Sequence, residues 1–234
     1  MDKNALLVEM VLKHEGGYVN DKNDNGKETY CGISRRSHPR WAGWKIVDTY
    51  KPLKWNEKID DAELNQCVID LYTKNYYKPL KLESINNLLL SAHLFDHGVN
   101  AGLSASAKLL QKSINTVYNL SIAVDGKIGN ETLSYANSPD KLTDLVNEFI
   151  KNREQFYKNI VNRNPSQKKF LNGWLNRVKT TTKTIQNYQK GLTRDEQNVC
   201  IADGTFLEPN KPIWLKILEF IWKLIQIFFL KRRR

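Results

Sequence analysis

The sequence predicts a mainly α-helical protein with a small loop or β-hairpin near its start and a hydrophobic helix at its end. Three observations predict this. Apolar residues recur at i, i+3, i+4 spacing through most of the chain, and few segments alternate with period two. One early stretch, residues 13–34 (KHEGGYVNDKNDNGKETYCGIS), is too polar and glycine-rich to be a core element. The last apolar run, IWLKILEFIWKLIQIFFL, follows a polar segment and ends in KRRR.

Taken in order, residues 4–13 read as a short amphipathic helix, with Leu7, Met10 and Val11 on one face. Asn4 serves as its N-cap and Gly16-Gly17 stops it. After the polar loop, Pro39 and Gly43 mark turns. Residues 60–77 (DDAELNQCVIDLYTKNYY) form a helix closed by Pro79. Residues 86–95 form a strongly apolar, buried helix, and residues 104–118 form another. The Asp-Gly of VDGKIGNET is a turn signal. Pro139 precedes a long helix from residue 141 to about 161, and residues 167–188 complete the body. Residues 193–211 are polar, with Gly204 and Pro209, and read as a linker; no repeat is visible.

The net charge of +11 is unevenly spread. Residues 211–234 hold seven Lys or Arg and one acid, Glu219, a net +6 that leaves only +5 on the other 210 residues. The basic balance is thus largely a property of the tail, and no nucleic acid partner is expected. Cys31, Cys67 and Cys200 are far apart and odd in number, without CxxC or zinc spacing. Neither a disulfide framework nor a metal site is expected, and no cofactor is implied. Of the four histidines only His93 and His97 share an i, i+4 face; ordinary core or exposed histidines are favoured there over a metal pair. The start has acids at Asp2 and Glu9 and no cleavage-like site, so no signal peptide is expected.

The polar loop carries chemistry. Glu15 follows the first helix at its negative dipole end, with apolar neighbours on the preceding turns. Both effects favour a protonated carboxyl, the form a general acid needs near neutral pH. Gly16 and Gly17 remove side chains beside it, so that a bulky polar substrate can approach the backbone. Asp24 and Thr29, nine and fourteen residues further on, put a second carboxylate and a hydroxyl in the same loop. Such a set suits glycosidic bond cleavage, in which one acid protonates the leaving oxygen and a second carboxylate handles water or the cation. A helix-end Glu before Gly-Gly also reads as an ordinary C-cap with a solvated charge, so the residues alone leave both readings open.

HEGGYVNDKNDNGKETYCGIS resembles the start of the lysozyme-like muramidases of glycoside hydrolase family 108, which run Glu-Gly-Gly-Tyr, Asp-Pro-Gly-Gly-x-Thr and Gly-Ile-Ser/Thr. The likeness continues through NYYKPL (75–80), LFDHGVNAG (94–102) and LLQKSIN (109–115). VDGKIGNET (124–132) and KKFLNGWLNRV (168–178) are similar to the peptidoglycan-associated half that follows the catalytic half in that family. The resemblance implies a lysozyme-like domain at residues 1–85, a helical peptidoglycan-binding half at 86–192, a linker at 193–212 and a terminal helix at 213–234. It implies Glu15 as the catalytic acid. The Glu-x8-Asp spacing of Glu15 and Asp24 is similar to that of phage lysozymes with a Glu, Asp, Thr set, of which Thr29 is the third member here, one residue closer to Asp24 than in those lysozymes. Asn25 and Lys27 replace the usual Pro and second Gly, changes that touch loop stiffness rather than the reacting groups.

The activity implied is hydrolysis of the β-1,4 bond between N-acetylmuramic acid and N-acetylglucosamine, with peptidoglycan as partner. Among the aromatics Tyr18, Tyr30, Trp41, Trp44, Tyr76 and Tyr77, one or two are expected in a sugar groove, with Tyr18 and Tyr30 nearest the loop. Asp96 and Asn100, one helical turn apart, are expected to line it, although capping or interhelix bonds account for them equally well. Two other readings stand beside the hydrolase: a non-enzymatic peptidoglycan-binding envelope or virion protein, and a lytic transglycosylase using one acid.

Residues 213–230 span about 27 Å as a helix at ~1.5 Å per residue, close to a bilayer core of about 30 Å. Lys216, Glu219, Lys223 and Gln226 form one narrow polar stripe on it. Charges inside a spanning helix are costly, whereas an interfacial helix in anionic headgroups keeps them wet. The expected location is therefore a bacterial envelope or virion, with residues 213–234 on an anionic membrane.

Overall fold

The computed structural model describes residues 2–21 and 28–191. The chain opens with helix α1 (Lys3–Leu12), which buries Leu6, Leu7, Val8, Met10 and Val11. Its N-cap is Asp2 rather than the expected Asn4: the Asp2 carboxylate accepts from the Ala5 amide at 2.7 Å. Three short antiparallel strands follow, β1 (Tyr18–Asn20), β2 (Glu28–Tyr30) and β3 (Ile33–Ser34), ordered β1-β2-β3. The expected hairpin is thus a three-stranded sheet, with Tyr18 opposite Tyr30 and Thr29 between Val19 and Ser34. Cys31 and Gly32 alone connect β2 to β3, both at positive φ (48° and 74°), the backbone that lets a two-residue loop follow strand twist.

Helix α2 (Gly43–Thr49) precedes α3 (Ala62–Tyr72), whose N-cap Asp61 accepts from the Leu64 amide. The chain stays helical through a π turn, Thr73–Tyr77, and the break comes before Pro79, as the sequence predicts. A 3-10 turn, Leu82–Ser84, leads to α4 (Leu88–Ala101). This helix runs six residues past its expected end at residue 95. Asp96 and His97 look like terminal polar residues, but both are buried, and Gly102 at φ 97° ends the helix instead. The remaining helices are α5 (Leu103–Tyr118), α6 (Asn130–Ala136), α7 (Leu142–Arg163) and α8 (Lys168–Lys190).

Helix α4 is buried on nearly every side, its polar Ser91, His93, Asp96 and His97 included, and so lies at the centre of the fold. Here α1, α5, α7 and α8 pack around it. One contiguous core runs from Leu6 on α1 to Tyr188 on α8. The expected boundary at residue 85 falls on extended Ile85, just before α4, with core residues on both sides. Among the described residues no helix is long and apolar enough to cross a membrane; residues 213–230 lie outside them.

Candidate active site

Past Leu12 the chain makes one further loose turn, with the His14 and Glu15 amides bonded to the Val11 and Leu12 carbonyls at 2.9 and 3.3 Å. This delivers the Glu15 carboxyl to the β2–β3 reversal. A Cβ on Gly32 would lie 2.8 Å from Glu15 Oε2 and 2.9 Å from the Tyr72 hydroxyl, so contact and φ together require glycine there. Tyr72 fixes the same reversal from α3 by donating its hydroxyl hydrogen to the Cys31 carbonyl at 2.9 Å. Burial, and next the charge of Glu15, push the Tyr72 phenol up, which keeps it a neutral donor. Tyr76, half-buried, packs 5.6 Å from the Tyr72 ring.

The Gly-Gly pair has a different reason from the one expected. The Gly17 amide donates to Asn56 Oδ1 at 2.7 Å, and a Cβ on Gly17 would stand 2.2 Å from the Glu57 carbonyl oxygen. The missing side chain admits the protein's own 56–57 backbone, so the space is already filled.

Glu15 also faces a cation from far along the chain. Its Oε1 lies 3.4 Å from Arg177 Nη1 and 3.5 Å from Nη2. The Glu15 side chain is 22% exposed and that of Arg177 14%. Arg177 is held from behind, its Nε donating to Asp96 Oδ1 at 2.8 Å. The other Asp96 oxygen pairs with Arg153, and these two side chains have no exposure. Burial alone would push Asp96 up, but the Arg153 and Arg177 charges outweigh it and hold the carboxyl below its usual range.

Arg153 also donates to His93 Nδ1 at 3.0 Å. Guanidinium has no acceptor, so His93 accepts at Nδ1 and carries its proton on Nε2, 2.9 Å from Thr182 Oγ1. Burial, then the Arg153 charge, push His93 down to about 3. His97, in contact with the Tyr157 hydroxyl at 3.3 Å, is pushed down to about 3 for the same two reasons. Both histidines are neutral core residues. Among the described residues no group of three His, Cys, Asp or Glu could hold a metal.

The expected site residues thus divide. Glu15 sits at the foot of the sheet. Thr29, half-buried, occupies the middle of β2, and Asp24 lies outside the described residues. Two expected substrate contacts are corrected. Tyr30 is 1% exposed, its hydroxyl turned onto Ile59, accepting from the amide at 3.1 Å and donating to the carbonyl at 3.4 Å. Asp96 is enclosed by its two arginines. Tyr18 is also buried and donates to Glu28 at 3.0 Å, whereas exposed Asn100 donates to the Tyr157 hydroxyl at 2.8 Å. A cavity of about 480 Å³ opens between the segment after β3 and α3, lined among others by His38, Arg40, Trp41, Asp70 and Lys74; Glu15 is not in its wall.

Arg177, Tyr72 and Gly32 are site residues that sequence reasoning missed. A signal existed for the first. A carboxylate inside the apolar run LLLSAHLFDHGVNA needs a cation, and Arg177 lies beside Val178 and one turn from Thr181 on the buried side of α8.

A small sheet set against a helical core, with a carboxyl at their seam, is the arrangement of lysozyme-like glycoside hydrolases. Residues 8–102 match the model of Glycosyl hydrolase 108, and residues 105–179 match that of the Predicted Peptidoglycan domain. The chain carries a glycosyl hydrolase family 108 domain followed by a peptidoglycan-binding region, the pairing of a peptidoglycan-degrading glycoside hydrolase. Among solved structures it is similar to SagA of Brucella abortus, at 23% identity over 75% of this chain and 89% of that one, with a TM-score of 0.51; at that identity the likeness shows the fold. No curated protein matches the chain.

Proposed function

We propose that the chain hydrolyses the β-1,4 bond between N-acetylmuramic acid and N-acetylglucosamine with Glu15 as general acid. The observation that carries this reading is the placement of Glu15. It is a partly exposed carboxyl at the end of α1, located by the Cys31-Gly32 reversal on one side and Arg177 on the other. Its proton passes to the bridging oxygen as the bond to C1 breaks, and a water completes the reaction. Asp24 belongs to the segment between β1 and β2, four residues before Thr29's strand begins at Glu28, and it activates that water or stabilises the C1 cation. A carboxyl separation of about 5–5.5 Å gives retention, and about 6.5–9.5 Å gives inversion.

The test is turbidity loss of purified cell walls. Glu15→Gln should slow clearance by roughly 10²–10⁴-fold, the share a general acid supplies. Clearance at the wild-type rate by that variant would sink the assignment. Mass spectrometry of the released muropeptides reads the outcome at C1, reducing ends for the hydrolase and anhydro ends for a transglycosylase. The stripe of Lys216, Glu219, Lys223 and Gln226 on an otherwise apolar segment supports a membrane-seeking helix at residues 213–234 that holds the enzyme at the envelope. The peptide 211–234 is expected to float with anionic liposomes, and its staying in the soluble fraction would remove the membrane from the proposal.

A further inference from the structure

Glu15 lies in the segment matched by the hydrolase model, and Arg177 lies in the segment matched by the peptidoglycan model. We propose that Arg177 is a positioning residue for the general acid, so that the peptidoglycan-binding half completes the active site of the hydrolase half. This inference rests on the assignment of Glu15 above.

The geometry separates the two contacts that Arg177 makes. Its Nε–Asp96 distance of 2.8 Å is that of a full charge-assisted hydrogen bond, about 2.7–2.9 Å. The 3.4 and 3.5 Å to Glu15 are longer. The guanidinium is therefore anchored on Asp96 and presents its outer edge to Glu15 without capturing it. Asp96 is itself immobile, clamped by fully buried Arg153 and approached by Thr181 Oγ1 at 3.5 Å. A planar group anchored this way gives the carboxyl a fixed wall, which a flexible lysine would not provide.

Charge balance gives that wall a chemical role. Asp96, Arg153 and Arg177 together carry one net positive charge, so the four groups are neutral when Glu15 is a carboxylate and positive when it is protonated. Donating the proton to the glycosidic oxygen thus returns the cluster to neutrality. The other described groups that act on Glu15, or on which it acts, are His14 beside it, Tyr72 of α3, Tyr76 of the π turn and Cys31 of the reversal. Burial first of all pushes the two tyrosines and the thiol up and His14 down, which favours the neutral form of each. Arg177 is the charged member of this set.

The experiment is the kcat and KM of the full chain on purified peptidoglycan for wild type, Arg177→Gln and Arg177→Lys, with circular dichroism to verify folding. Arg177→Gln should lose about 10- to 100-fold in kcat, the scale of a misplaced reacting group, with a smaller change in KM. Arg177→Lys keeps the charge and loses the fork, so its kcat should fall as well. Wild-type kcat in folded Arg177→Gln overturns the inference while leaving Glu15 as the acid. Should Arg177→Gln fail to fold, wild-type kcat in Arg177→Lys overturns it instead. If the wild-type chain clears no walls, the proposed function falls, and this inference with it.

Discussion

The protein carries two clusters of opposite charges that are built alike and placed differently. Beside the sheet, Glu28 and Asp48 are bridged by Arg35 and Lys51 at 2.5–2.7 Å, with side chains 14–44% exposed. In the interior, Asp96 is clamped by Arg153 and Arg177, with exposures of 0, 0 and 14%. The contacts beside the sheet are short and numerous, yet pairs in contact with water are worth little because solvent screens them. The interior pairs are unscreened, and each charge there depends on its partner. Depth, rather than contact distance, separates the two. The interior cluster is also the one that reaches Glu15.

The hardest blow to this comparison comes from Arg153→Met, which leaves Asp96 buried beside a single cation. It should cost about 3–5 kcal/mol, or a fall in melting temperature of roughly 10 °C for a chain of this size. A loss below 1 kcal/mol in a denaturant titration would place the interior cluster with the outer one.

Acid should come next, and its sign follows from the interior histidines. His93 and His97 are lowered from 6.5 to about 3, so the unfolded chain takes up two protons near 6.5 that the folded chain refuses until about 3. Stability therefore falls as pH drops through that window. Asp96 and Asp48, both held below 3.8, keep their contributions until more acid conditions and lose them only beneath it. Melting temperature should decline between pH 6.5 and 4, and His93→Gln should flatten the slope. A level wild-type curve over that range contradicts a neutral histidine core.

The smallest effect is expected beside the sheet. Arg35→Ala should cost no more than ~1 kcal/mol, and 1 M NaCl, with a screening length near ~3 Å, should erase most of the difference from wild type. A larger, salt-resistant loss would mean that Arg35 packing over Trp44, 4.3 Å from the ring centroid, outweighs its ion pairs.

The longer helices were legible because each carries apolar residues at helical spacing, and α3, α5, α7 and α8 begin and end within a few residues of where periodicity puts them, whereas the seven-residue α2 and α6 were not foreseen and Gly43, expected in a turn, opens α2. The sheet was only half legible. Strands of two and three residues are shorter than the four to eight over which alternation can be recognised. Glu15 stood out through its local setting, a carboxyl between a helix end and two glycines. Arg177 did not, since it approaches Glu15 from 162 residues away and no local pattern encodes that meeting. For Asp96 the sequence left a groove and interhelix bonds equally open, because helical spacing gives a residue's direction and says nothing of its depth; burial and its pairs with α7 and α8 make it the second.

That separation of 162 positions has an evolutionary consequence. A crossover between residues 102 and 105, where the two matched segments meet, would leave Glu15 and Asp96 facing a foreign α8. The buried Asp96 keeps its second cation only where the incoming partner brings an equivalent guanidinium, so the two halves should be inherited together.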